Sequence, residues 1–287
     1  MIGRIANLTV ILPANRLDEI AITLGLSEYY RLEEIVAMCE KSGVHTKFIP
    51  DYNKIIPTKP YTEDILGLPV INIRYVPLSN TFNAMVKRTM DVVGSIMAII
   101  VSSPVMLLMC VLIKLTSPGP LIYKQERVGL HNKTFRMYKF RSMEIQPEAE
   151  ERKAWTVKND PRVTGIGKFM RRTSIDELPQ LFNILNGDMT LVGTRPEVPE
   201  YVKKYTKEMY ATLLLPAGLT SRTSIAYKDE DKILAGAANP AEAYVNEVLP
   251  AKMMYNLEAL KKFGFKEDCR VLIQKHLLLI QTIRRWL

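Results

Sequence analysis

Apolar and polar positions change rhythm several times along this chain. Leu8 to Leu12 reads LTVIL, a short unbroken apolar run that predicts a buried strand. Arg31 to Lys41, RLEEIVAMCEK, places Leu32, Ile35, Val36 and Cys39 at i, i+3, i+4 and i+7, the pattern of an amphipathic helix. Gly43 is a stop signal, and Val44 to Ile49 reads as a second strand. Together they predict a βαβ-like unit of about fifty residues. Pro69 to Arg74 is a third candidate strand. The Gly-rich phosphate loop of dinucleotide sites is absent, so a structural or regulatory role is expected for this unit. Pro50 to Pro69 holds four prolines and reads as an extended connection.

The rhythm is lost at Val92 to Ile113, where 22 residues carry no charge. A spanning helix needs about 20 apolar residues, so the length suffices. A buried core helix is the plainer alternative, but a soluble helix this long normally keeps a polar face. Ser102, Ser103 and Pro104 interrupt the middle. Proline removes a backbone donor and bends or breaks a helix, and neighbouring serines can bond the freed carbonyls. Lys87 and Arg88 precede the segment, and Lys114, Lys124 and Arg127 follow it. Cationic flanks on both sides suit a re-entrant helix–break–helix better than a single span. Ser117-Pro118-Gly119-Pro120 is the expected exit turn.

Helical spacing returns in Arg171 to Arg195, RRTSIDELPQLFNILNGDMTLVGTR. Leu178, Leu181, Phe182 and Leu185 predict one apolar helical face ended by Gly187, with a short strand at Leu191 and Val192. Asp176 and Glu177 stand at the front of that helix. In the plain reading Asp176 is its N-cap, since Pro179 then falls where no backbone donor is needed. In the functional reading, backbone donors hold Asp176 ionised to attack phosphorus, with Glu177 and Mg²⁺ orienting the phosphates. Arg171, Arg172 and Arg195 are candidate phosphate clamps. The residues alone leave both readings open.

Composition narrows the partners. The chain has 287 residues and a net charge of +9, which favours an anionic partner. From Lys114 to Arg172 there are fourteen Lys or Arg against six Asp or Glu. This suits anionic headgroups or phosphates, beside the bland reading of a solvated face. No nucleic-acid recognition motif accompanies it. The three cysteines and three histidines are scattered, so neither a disulfide framework nor a His-based metal site is expected. Met1 to Val10 predicts no cleavable signal peptide.

Phe140 to Met143 (FRSM), Asp160 to Glu197 and the Ser103-Pro104 break resemble the monotopic phosphoglycosyl transferases that initiate bacterial surface polysaccharide synthesis. The similarity runs from about Lys87 to the C-terminus and is most specific in the DELPQLFN block. The resemblance implies a mixed α/β fold: an N-terminal nucleotide-binding-like unit over residues 1–80, a re-entrant membrane hairpin over 81–118 and a catalytic domain over 119–287. Larger members usually carry preceding membrane helices, so a short or truncated form is expected. The resemblance further implies Asp176 as nucleophile, Glu177 as its partner, and Mg²⁺ held by both. Arg141, Arg171, Arg172, Arg195 and Pro196 would meet the substrate, and Ser103 and Pro104 would set the membrane break. A UDP-sugar such as UDP-galactose or UDP-glucose would be the donor and undecaprenyl phosphate the acceptor, at the cytoplasmic face of the inner membrane. The N-terminal unit is a candidate for homodimer contacts. Thr194-Arg195-Pro196 replaces a frequent Pro-Arg-Pro, and Ser221 to Ser224 departs from the usual loop, which bears on sugar choice. The competing reading is a membrane-anchored regulatory or scaffold protein of glycan assembly.

Overall fold

A computed structural model describes residues 4–15, 17–50, 61–72, 74, 76–144, 160–228, 230, 234, 236, 239–261 and 264–284. The chain divides into two compact units, Met1–Tyr75 and Val76–Leu287.

In the first unit, Leu8–Ala14 is helix α1, not the strand its apolar run predicts. A five-residue apolar run has no period of its own, and here Leu12 packs into a core with Ile22, Leu24, Ile35 and Cys39. The first strand is β1, Glu19–Leu24, whose alternating Ile20, Ile22 and Leu24 point inward. Helix α2 (Leu32–Lys41) follows, and Gly43 leaves it at φ 71°. Strand β2 (His45–Pro50) then pairs with β1 in parallel, Glu19 opposite His45 and Leu24 opposite Pro50. The expected connection ending at Pro69 is partly structured. Residues 51–60 lie outside the described residues, but β3 (Tyr61–Ile65) and β4 (Leu68–Asn72) form an antiparallel hairpin. Leu66 and Gly67 turn it with positive φ, as a two-residue hairpin loop requires.

The second unit begins with α3, Thr81–Thr116, capped by the Asn80 side chain. Its 36 residues form one helix that runs through Pro104 without a loop. Pro104 cannot donate to the Ile100 carbonyl, and the Ser103 hydroxyl does so instead, at 2.8 Å. Ser102 donates to the Ala98 carbonyl at 2.6 Å. Among the described residues α3 is the one helix long and apolar enough to cross a membrane. Asp91, Ser95, Met109 and Ile113 on one side are buried, whereas Ile100, Val101, Leu107, Val111 and Leu115 on the other are exposed. The two halves of α3 pack on the same body: Ala98 and Ile99 against Leu181 and Ile184, Met109 and Ile113 against Phe140 and Met170.

The expected cationic flank of the apolar segment lies inside α3 and is engaged by protein groups. Lys87 is buried between Asp91 and Asp268, and Arg88 donates to the Ile184 and Leu185 carbonyls at 2.6 and 2.7 Å. A charge paired inside protein cannot report which side of a bilayer it faces.

Strands β5 (Ile122–Val128) and β6 (Thr134–Phe140) form an antiparallel hairpin. Helices α4 (Gly165–Thr173) and α5 (Gln180–Asn186) follow, then β7 (Met189–Val192). After α6 (Pro199–Val202), β8 (Ala217–Thr220) pairs in parallel with β7. Helix α7 (Arg222–Ala226) leads to α8 (Pro240–Ala243), a π turn at Tyr244–Val248, α9 (Leu249–Lys261) and α10 (Phe265–Arg284).

Two motif residues explain local order. A Cβ on Gly167 would collide with the Ser142 carbonyl, so only glycine lets α4 meet the FRSM segment. Asn183 is fully buried: its amide donates to the Arg136 carbonyl at 2.8 Å and its oxygen accepts from Tyr138 N at 2.9 Å. It therefore fastens α5 to the edge of β6.

Candidate active site

Helix α4 ends at Ser174, a non-glycine residue at φ 56°, whose N–H reaches the Met170 carbonyl. This left-handed step turns the chain into a single 3₁₀ turn, Ile175–Glu177, before α5 begins. Strained positions of this kind cluster at functional sites. The turn carries Asp176 and Glu177.

The capping reading of Asp176 fails. The N-cap position of α5 is Pro179, no side chain caps it, and Ser174 makes no capping bond either. Backbone donation favours the ionised carboxylate, but burial outweighs it. Asp176 is 9% exposed, and burial pushes its pKa up from 3.8 to about 6. Lys139 and Arg171 oppose that rise, and the neighbouring Glu177 charge adds to it. Glu177 goes the other way. Burial alone would raise it, but Lys139, Lys275 and Arg195 outweigh burial and hold it below the usual glutamate value. Lys139 Nζ lies 3.5 Å from Glu177 Oε1. The pair therefore holds two environments, a firmly ionised Glu177 beside an Asp176 that titrates near neutrality.

Of the expected arginines, Arg171 and Arg195 act on this pair. Burial disfavours the charge on Arg195, yet Glu177, Glu197 and Glu230 outweigh it and raise its pKa. Arg172 is exposed on the last turn of α4. Arg141 is engaged elsewhere: its guanidinium donates to the Pro118 and Ser117 carbonyls, each at 2.6 Å, and fixes the chain where α3 ends. Pro196 is buried, and its carbonyl accepts from Arg127 at 3.1 Å.

Sequence reasoning missed several residues. Lys139 directly precedes the FRSM motif, and strand alternation sets it opposite Phe140, which is buried. Lys252, Glu197, Arg127 and Tyr244 form a buried polar cluster next to Arg195; no sequence spacing joins residues so far apart. The unusual loop is also explained. Ser221 and Ser224 form a reciprocal capping box for α7, Arg222 pairs with Glu267, and Thr223 donates to Asn256 at 2.7 Å.

Phe182, expected on the buried face of α5, is half exposed; Leu181 and Ile184 take the core. Phe182 and Pro179 instead line an apolar groove of about 550 Å³ with Ile99, Ser103, Met106 and Phe140. Lys124 borders the groove, 5.6 Å from the Tyr138 ring centre. The groove thus joins both sides of Pro104 to the residues that directly follow the Asp176–Glu177 turn.

Among the described residues no three His, Cys, Asp or Glu side chains cluster to form a closed metal site. Two adjacent carboxylates nevertheless fit Mg²⁺, which takes one or two protein carboxylates and completes its shell with water and substrate phosphate.

The second unit is thus a mixed helix–strand domain that carries a buried Asp176, a partly buried Glu177 and one long apolar helix. Residues 82–282 match the bacterial sugar transferase family, and the chain belongs to it. It is 35% identical over 203 residues to the UDP-glucose:undecaprenyl-phosphate glucose-1-phosphate transferase of Klebsiella pneumoniae, covering 71% of this chain and 43% of that protein. It is 40% identical over 168 residues to the undecaprenyl-phosphate galactose phosphotransferase of Salmonella typhimurium, covering 53% and 35%. It is 45% identical over 143 residues to the UDP-N-acetylgalactosamine-undecaprenyl-phosphate N-acetylgalactosaminephosphotransferase of Aeromonas hydrophila, covering 48% and 34%. The matched part is less than half the length of each of these relatives.

Proposed function

We propose that the protein transfers a sugar phosphate from a UDP-sugar to undecaprenyl phosphate, the first membrane step of surface polysaccharide synthesis. The observation that carries this reading is the Asp176–Glu177 turn with its two unequal carboxylates, set beside cations and an apolar groove. A carboxylate oxygen of Asp176 attacks the phosphorus that bears the sugar. The bond from that phosphorus to the bridging oxygen breaks, and UMP leaves with the electron pair. An oxygen of the lipid phosphate then attacks the same phosphorus, and the acyl-phosphate bond breaks to regenerate Asp176.

The raised pKa makes Asp176 a more basic nucleophile than an exposed aspartate, while most of it stays ionised above pH 7. Arg195 and Arg171 balance the phosphate charge. Bound Mg²⁺, held by Asp176 and Glu177, would supply further neutralisation of the phosphates.

The acceptor reading draws support from α3. Its exposed apolar side belongs in lipid, and its Ile99, Ser103 and Met106 line the groove that Pro179 and Phe182, downstream of the dyad, also border. Packing of both halves of α3 on one body suits a re-entrant element lying at the cytoplasmic face more than a helix leaving its domain to cross the bilayer. Names of relatives include glucose, galactose and N-acetylgalactosamine, and a hexose donor such as UDP-glucose or UDP-galactose is our reading.

The test is UMP release by the detergent-solubilised protein with Mg²⁺, undecaprenyl phosphate and a panel of UDP-sugars. Release with one sugar, lost in Asp176→Asn, is expected. Absence of release with every sugar from folded protein would return the chain to the scaffold reading.

A further inference from the structure

A buried lysine is costly unless its charge is fully matched, and replacement by an apolar side chain is often neutral for stability. Lys252 on α9 is such a residue, at 2% exposure. Its ammonium lies 3.0 Å from Glu197 Oε1, 3.1 Å from Glu230 Oε2 and 2.8 Å from the Tyr244 hydroxyl. It also stands 4.8 Å from the Tyr244 ring centre. The ammonium thus donates to Tyr244 and Glu230 and pairs by charge with Glu197, whose Oε1 accepts no hydrogen bond. Lys252 and Arg127 pull Glu197 below its usual pKa although burial would raise it.

The significance lies in what this cluster holds. Thr194 to Glu197 is tied down at every residue. Thr194 N donates to the Pro216 carbonyl at 3.2 Å. Arg195 N donates to Asn256 Oδ1 at 3.4 Å, one turn along α9 from Lys252. The Pro196 carbonyl accepts from Arg127, and the Glu197 carbonyl accepts from Val128 N at 2.9 Å. Lys252 binds the Glu197 side chain. The Arg195 guanidinium, half-buried, stands where the charges of Glu177 and Glu197 both reach it.

We infer that Lys252 is a positioning residue for donor binding: through Glu197 and the Asn256 face of α9 it fixes the backbone from which Arg195 meets the diphosphate of a nucleoside-diphosphate sugar. This rests on the transferase reading above.

The test is a double-mutant cycle on the full chain, with Lys252→Met, Arg195→Ala and the double variant. The readouts are the KM for the UDP-sugar in UMP release and the Kd for UDP with Mg²⁺. Lys252→Met is expected to raise KM and Kd about tenfold with kcat changed less than about threefold. In the Arg195→Ala background the same change should have almost no further effect, because the two act as one unit. Additive losses, or a fall in kcat at unchanged KM, would reduce Lys252 to a structural role and overturn the inference. Should Lys252→Met fail to fold, Tyr244→Phe and Glu230→Gln each remove one partner of the ammonium. Each is expected to raise KM and Kd by about threefold, and unchanged values in both would overturn the inference as well. A wild-type protein that releases no UMP and binds no UDP would sink the transferase reading itself and this inference with it.

Discussion

At the scale of single residues, the dyad is an arrangement of opposed pKa shifts. The folded state holds the Asp176 proton more tightly than the unfolded chain does, so ionising that carboxylate costs stability as pH rises from about 4 through about 6. Asp176→Asn should therefore abolish UMP release and yet melt at a higher temperature at pH 7.5, with a gain of up to ~3 kcal/mol that disappears below about pH 4. Thermal melts of both proteins across that range check it, and equal melting at pH 7.5 would contradict the burial argument. Activity that requires ionised Asp176 should rise with pH through a midpoint near 6. Lys139 opposes the rise at Asp176 and pairs with Glu177, so Lys139→Met should move that midpoint up by about one unit. A pH–rate profile with an unmoved midpoint would remove Lys139 from the site.

Helices and strands show which signals a sequence carries. The amphipathic α2 and the Gly187 stop were legible because each has a period or a terminator of its own. LTVIL was not, because so short a run fits a strand or a helix equally; the alternation in EIAITL was the usable strand signal nearby. The adjacent carboxylates were legible as a pair, but their setting was not. Its 3₁₀ turn depends on Ser174 in a left-handed conformation, which no propensity predicts. Lys252 lies far along the chain and reaches the site only through tertiary packing. At Pro104 the residue types were read correctly and the outcome differed, since the Ser103 hydroxyl replaces the missing donor and the helix continues. Pro104→Ala restores the ordinary donor to Ile100. It should lower UMP release several-fold while the protein stays in the membrane fraction. Cysteines placed at Asn80 and Ser117, in a background without native cysteines, should label from the same side of sealed vesicles. Labelling from opposite sides would establish a span.

On the scale of the molecule, the family match and the whole candidate site fall within Val76–Leu287. Asp176, Glu177, Lys139, Arg195, Lys252, the groove and α3 all belong to that unit. Its core clusters are built from its own residues, from Met109 and Ile113 through Leu181 and Ile184 to Leu249 and Met253. The exposed apolar side of α3 should supply membrane affinity by burial in lipid more than by charge, because Lys87 is paired inside the protein and Arg88 is bonded to two main-chain carbonyls. Two consequences follow for one experiment. A chain beginning at Val76 should remain in the membrane pellet after a high-salt wash, which would strip a protein held by charge alone. It should also release UMP at a rate within about threefold of the full chain, since no residue of the proposed chemistry is removed. Salt extraction of the shortened chain would mean that charge dominates its attachment. A folded, membrane-bound but inactive chain would show that Met1–Tyr75 completes the catalytic unit, and would move that unit from a structural to a functional role.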